Sequence, residues 1–186
     1  MRKYNYKKKG FSLMEMLLAI TIFVIIILSA TRIFQLVVQG QRQAIAAYHV
    51  QENLKYFFEV MSKEVRMAKM DTAGDCYPTT AVDQLYTVET NNLYFKNYDG
   101  QCVHYFIAND NGVNRFKIER GLNNGYITTS NININSLKFD VKSSVDTGTQ
   151  AEQASVTVNL EAEAVAPELD KSQMILQTTI TSRYYE

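Results

Sequence analysis

The stretch Lys7-Lys8-Lys9-Gly10-Phe11-Ser12-Leu13-Met14-Glu15, running on through Ile20, Ile22, Phe23, Val24, Ile25, Ile26, Ile27 and Leu28 to Thr31, decides how this 186-residue chain is read. Between Ser12 and Thr31 there are twenty residues and one charge, Glu15. Twenty residues of helix rise about 30 Å, the thickness of a bilayer core. The lysines stand directly before that span, so the positive-inside bias holds the N-terminus in the cytoplasm and sends the rest outward. A secretory signal peptide has the same order of basic and apolar residues. Here the apolar stretch is longer than a typical h-region, holds a carboxylate near its start, and offers only Leu28-Ser29-Ala30 as a small-residue cleavage site. A plain N-terminal membrane anchor remains as the alternative.

Glu15 is the residue that an anchor does not explain. A carboxylate within a spanning helix costs about 2.5 to 3.5 kcal/mol on insertion scales and so points to a partner. The positive end of the helix macrodipole offsets part of that cost. An ammonium group offsets more, and cleavage after Gly10 creates one at Phe11, four residues upstream.

The combination of basic leader, Gly10, Phe11, Glu15 and apolar run resembles the class III signal of type IV pilin-like proteins. The resemblance implies that a prepilin peptidase cuts between Gly10 and Phe11, that the new Phe11 amine is N-methylated, and that Glu15 meets the N-terminal amine of a neighbouring subunit during filament assembly. It also implies other pilins or pseudopilins, an assembly ATPase and a membrane platform as partners. The physics agrees: a buried carboxylate among packed apolar helices is costly unless a neighbour brings a cation in register.

No proline precedes Pro78, so one helix is expected from about Phe11 to Lys69, nearly 90 Å long at about 1.5 Å per residue. Its second half spaces Ile45, Tyr48, Leu54, Phe57, Phe58, Met61, Val65 and Ala68 as one apolar stripe suited to docking on a sheet. Major pilins often have a proline in the first half, where this chain has Arg32, and Gly40 could loosen the helix locally. The segment Glu52 to Arg66 and the ending Gln177-Thr178-Thr179-Ile180-Thr181-Ser182-Arg183 look loosely like minor pseudopilins of the type II secretion J class. That likeness and Arg32 together favour a minor subunit over a bulk one.

Beyond Lys69 the apolar period shifts toward two. After a connector from Asp71 to Asp83, strands are expected at Leu85 to Val88, Leu93 to Tyr98, Cys102 to Ala108, Val113 to Glu119 and Tyr126 to Thr129. Further ones follow around Leu137, Phe139 and Val141, around Val156, Val158 and Leu160, and at Met174 to Ser182. Asp99-Gly100, Asn111-Gly112 and Asn124-Gly125 read as tight turns. The chain is thus expected to be α+β, with a leader at 1–10, a long helix at 11–70 whose residues 12–31 span the membrane, and an extracytoplasmic β-rich head at 71–186.

Charge is distributed unevenly: residues 1–10 carry +5, residues 11–70 carry +2, and residues 71–186 carry −7. An acidic head repels phosphate, so direct nucleic-acid binding is not expected. Cys76 and Cys102, both outside the cytoplasm on this topology, suggest a disulfide. With His104 they could instead be three zinc ligands. Asn109-Asp110-Asn111-Gly112 fails as an EF-hand, because alignment on Gly112 puts Ile107 and Ile118 where acids are required. A calcium site built on carbonyls stays open. His49 and His104 have no acid and nucleophile placed near them in sequence as a catalytic set, and neither enzymatic activity nor a cofactor or metal is expected.

The expected function is structural: a minor pilin or pseudopilin of a type IV pilus, type II secretion or DNA-uptake filament that helps to initiate or cap assembly. The alternative is a single-pass anchored module whose head binds a ligand.

Overall fold

A computed structural model describes residues 10–76, 84–142, 153–165 and 172–183. The leader lysines and the second part of the Asp71 to Asp83 connector lie outside the described residues. One helix, α1 (Leu13–Arg66), precedes eight strands, so the α+β arrangement with an antiparallel β head holds. By contacts the chain divides into two units, up to Arg42 and from Gln43 onward.

In the first unit, α1 presents apolar side chains to its surroundings on every face: Phe11 is 80% exposed, and Leu17, Ile22, Phe23, Ile26, Leu28 and Phe34 are all exposed. Mean hydropathy reaches 2.6 over an 18-residue window, so this helix is long and apolar enough to cross a membrane. A helix that is apolar all round belongs in lipid or among other helices. Thr21, Ser29 and Thr31 turn their hydroxyls back to the carbonyls of Leu18, Ile25 and Ile27, which satisfies them without a partner.

The second unit contains the remaining part of α1 and both sheets. Val50, Leu54, Phe57, Met61 and Val65 are buried along the helix at spacings of three and four. The stripe read from the sequence needs correction at its start, where Ile45 and Tyr48 are exposed and Val50 takes the inward place. α1 ends at Arg66 rather than Lys69, because the Lys69 amide donates to the Lys96 carbonyl at 2.8 Å and so leaves the helix ladder. The last carbonyls are met from outside the helix: Tyr86 Oη donates to the Val65 carbonyl at 2.6 Å and the Arg183 amide to the Arg66 carbonyl at 2.8 Å.

The first sheet orders β1 (Tyr86–Glu89), β2 (Asn92–Lys96), β3 (Cys102–Asp110), β4 (Val113–Arg120) and β5 (Asn123–Tyr126) as an antiparallel meander. The second pairs β6 (Ile132–Lys142), β7 (Ser155–Ala164) and β8 (Gln173–Thr181) in that order. Leu93, Phe95, Val103, Tyr105, Phe116 and Ile118 from the first sheet join Ile132, Ile134, Leu137, Phe139, Val156, Val158 and Leu160 from the second in one core with the helix. Phe57 lies at its centre, stacked on Phe116 at 3.8 Å between centroids and edge-on to Tyr105 at 6.3 Å. Such ring pairs add about 0.5–1.5 kcal/mol each beyond burial.

Asp99-Gly100 and Asn111-Gly112 turn as read, with Gly100, Asn111 and Gly112 at positive φ. Asn124-Gly125 does not. The chain turns earlier, at Gly121 (φ 53), and Asn124 and Gly125 pair within β5 opposite Glu119 and Ile118. The strand expected at Tyr126 to Thr129 accordingly begins at Asn123 and ends at Tyr126.

Candidate processing and assembly site

Gly10 and Phe11 lie just before α1, exposed and outside regular structure. A Cβ added at Gly10 would meet nothing within 4 Å, and no positive φ is imposed there. Nothing in the described fold calls for glycine at that position.

The helix start is built by Ser12. Its carbonyl accepts the amide hydrogens of Glu15 at 3.1 Å and Met16 at 3.3 Å, and its hydroxyl oxygen lies 3.4 Å from the Glu15 nitrogen. Ser at the cap with Glu three residues later is a capping-box sequence, a second local use for Glu15 that the charge argument alone misses. The carboxylate stands in the first turn of α1, where the macrodipole favours it. Leu13, Met14, Met16, Leu17 and Leu18 surround it in sequence, all exposed. Arg32 is on the same apolar helix.

In the head, Cys76 and Cys102 are joined as a disulfide with Cα atoms 5.0 Å apart. Asp71 organises the loop leading to it: its carboxylate accepts the Cys76 amide hydrogen at 2.9 Å and pairs with Lys96 at 3.4 Å. Burial acts to raise the Asp71 pKa, but these donors and the Lys96 charge outweigh it and leave the carboxyl below its ordinary value. With the two sulfurs bonded to each other, His104 has no thiolate partner for zinc. Among the described residues no group of three His, Cys, Asp or Glu is placed to hold a metal ion.

His104 instead stacks between Tyr94 and Phe106, at 4.2 Å from each ring, with Nδ1 3.6 Å from the Glu119 carboxylate. An acid therefore does stand beside His104, which the sequence reading had not found; register brings it there, since His104 and Glu119 face each other across β3 and β4. Burial lowers the His104 pKa, against the opposing pull of Glu119. A second charged group unseen in the sequence ties helix to sheet: Tyr105 donates to Glu64 at 2.5 Å, and Arg120 Nε lies 2.6 Å from the other Glu64 oxygen. Burial, then the Glu64 charge, raises the Tyr105 phenol far above its usual range, so the proton stays on tyrosine. The Asn109 to Gly112 string closes a hairpin, with the Asn109 side chain accepting the Gly112 amide hydrogen at 3.0 Å.

A family model described as the prokaryotic N-terminal methylation motif matches residues 5–31. The match covers the leader end, Gly10, Phe11, Glu15 and the apolar run, and it indicates a type IV pilin-like protein that is processed by a prepilin peptidase and takes part in pilus-type assembly. Comparison of the chain with curated proteins and with solved structures gave no match.

Proposed function

We propose that this chain is a minor pilin or pseudopilin, a structural subunit that helps to initiate or cap a type IV pilus-like filament and performs no turnover of its own. A prepilin peptidase removes residues 1–10, Phe11 becomes the N-methylated terminus, residues 12–31 span the cytoplasmic membrane with the N-terminus inside, and residues 71–186 work outside. The observation that carries this reading is Glu15: a carboxylate in the first turn of a helix whose neighbouring apolar side chains are all exposed. In a filament those side chains pack against other helices and the carboxylate is dehydrated. A neighbour's Phe11 ammonium group relieves that cost only when the two helices are in register, so the charge selects register.

Arg32 supports the minor role. Processing leaves each helix with two cations in its apolar part, the Phe11 amine and Arg32, against the single acid Glu15. A shaft made of this chain alone would bury one uncompensated cation per copy, at a cost that rises with every subunit added. A chain used once, or at an end where Arg32 can reach polar surroundings, avoids that sum. The same filament would be completed by an assembly ATPase and a membrane platform.

Replacing Glu15 with Ala tests the assembly role. The variant should insert into the membrane as the parent does, and its recovery in sheared filaments or in complexes with other pilin-like chains should fall at least about tenfold, the loss of about 1.4 kcal/mol or more in association. Equal recovery of parent and variant would refute the role given to Glu15.

A further inference from the structure

Gly125 is a glycine with no backbone reason to be one. It lies within β5, directly opposite Ile118 of β4, and no positive φ is imposed on it. A Cβ built there meets nothing within 4 Å, so close packing does not require its smallness either. Residues opposite each other on neighbouring strands share a face, and Ile118 is buried on the face that meets α1. The missing side chain thus leaves open the space between the end of the first sheet and the helix. That space is a groove of about 270 Å³, close to the lower bound of about 300 Å³ for small-molecule sites.

Its walls are chemically mixed. Val60 and Ile118 contribute apolar surface, Tyr56 of the helix contributes a ring that is 58% exposed, and Asn123 contributes a side-chain amide beside Gly125. Arg120 also lines it, held in place by the Glu64 carboxylate at 2.6 Å. That ion pair cancels the local charge, so the groove does not select an anion. An exposed aromatic ring over an apolar floor, with amide and guanidinium donors at the edge, suits a small neutral ligand that has one apolar face and several hydroxyls.

We propose that the groove bounded by Tyr56, Asn123, Gly125 and Arg120 is a binding site for a neutral sugar ring. The C–H face of a pyranose lies against Tyr56 and the Val60 and Ile118 floor, and its hydroxyls meet the Asn123 amide and the fixed Arg120 side chain. The site is independent of the N-terminal processing reading, since all its residues belong to the second unit.

The experiment is saturation-transfer NMR on the full chain in lipid nanodiscs, free of sugar-based detergent, with millimolar glucose, galactose and N-acetylglucosamine as probes. At least one sugar should receive saturation, and Gly125→Leu should weaken its binding by at least about tenfold while leaving the thermal midpoint equal or higher, because leucine fills an open space without backbone strain. Tyr56→Ala should weaken the same sugar. No transfer to any of the three, or transfer unchanged in Gly125→Leu, overturns the proposal. A photoreactive residue placed at Asn123 that cross-links to another pilin-like chain, with no sugar signal, overturns it in favour of protein docking.

Discussion

Glu15, Gly10 and His104 differ in how far their surroundings constrain them. Glu15 has its amide hydrogen taken by the Ser12 carbonyl and its carboxylate at the positive end of α1; in the assembly role proposed for it, membrane insertion tolerates the charge while packing against other apolar helices demands a cation. Gly10 is unconstrained by the fold; Gly10→Leu should therefore leave the head's thermal midpoint unchanged while precursor accumulates on immunoblots, and normal processing would show that this glycine is not what the peptidase reads. His104 is pressed between two rings, and its folded pKa lies below the ordinary value because burial disfavours the cation. The folded state therefore binds its proton less readily than the unfolded chain. The stability this represents is present above the unfolded value of about 6.5 and is lost as pH falls toward the folded value. Melting the full chain at pH 7.5 and 5.0 should show a lower midpoint at pH 5.0, and His104→Phe should reduce that difference; an unchanged difference would put the acid sensitivity elsewhere.

At the scale of elements, the helix was legible because its apolar content and spacing are strong over many turns, whereas its end was not. No Gly or Pro stops α1; it stops because β2 takes the Lys69 amide, a tertiary contact with no local signature. Between β4 and β5 the sequence is read as turning at Asn124-Gly125. The chain turns at Gly121, and this register puts Tyr126 opposite Lys117, with the Arg115 guanidinium 4.2 Å over its ring. Thr90 and Asn91, both at positive φ, make the β1–β2 turn without any glycine to announce it. In β6 the apolar phase switches from Ile132 and Ile134 to Leu137 and Phe139, and the register shift between Ile134 and Ser136 is the bulge that keeps both pairs inward. Phe57 joins the helix to both neighbouring rings of the first sheet, so Phe57→Ala should destabilise the head by about 3–5 kcal/mol in chemical denaturation. A loss below about 1 kcal/mol would mean that the core can close over the gap.

For the whole molecule, the residues proposed for processing and assembly could be named from the sequence because they are nearly consecutive, and the motif match spans the same stretch. The groove beside Gly125 and the Glu64, Tyr105 and Arg120 cluster were not readable, since each joins the helix to strands far along the chain. The Cys76–Cys102 bridge links the connector to β3 across 26 positions of sequence. On the chain-entropy account it contributes about 3 kcal/mol, so Cys102→Ser should lower the head's unfolding free energy by about that amount, and a variant as stable as the parent would show that the bridge carries no such share. The central claim is that processing creates the cation that Glu15 meets. Intact mass and N-terminal sequencing of the chain purified from its native membrane test it most directly: the account predicts a protein that begins at N-methylated Phe11, and material that begins at Met1 with its lysines retained would contradict it.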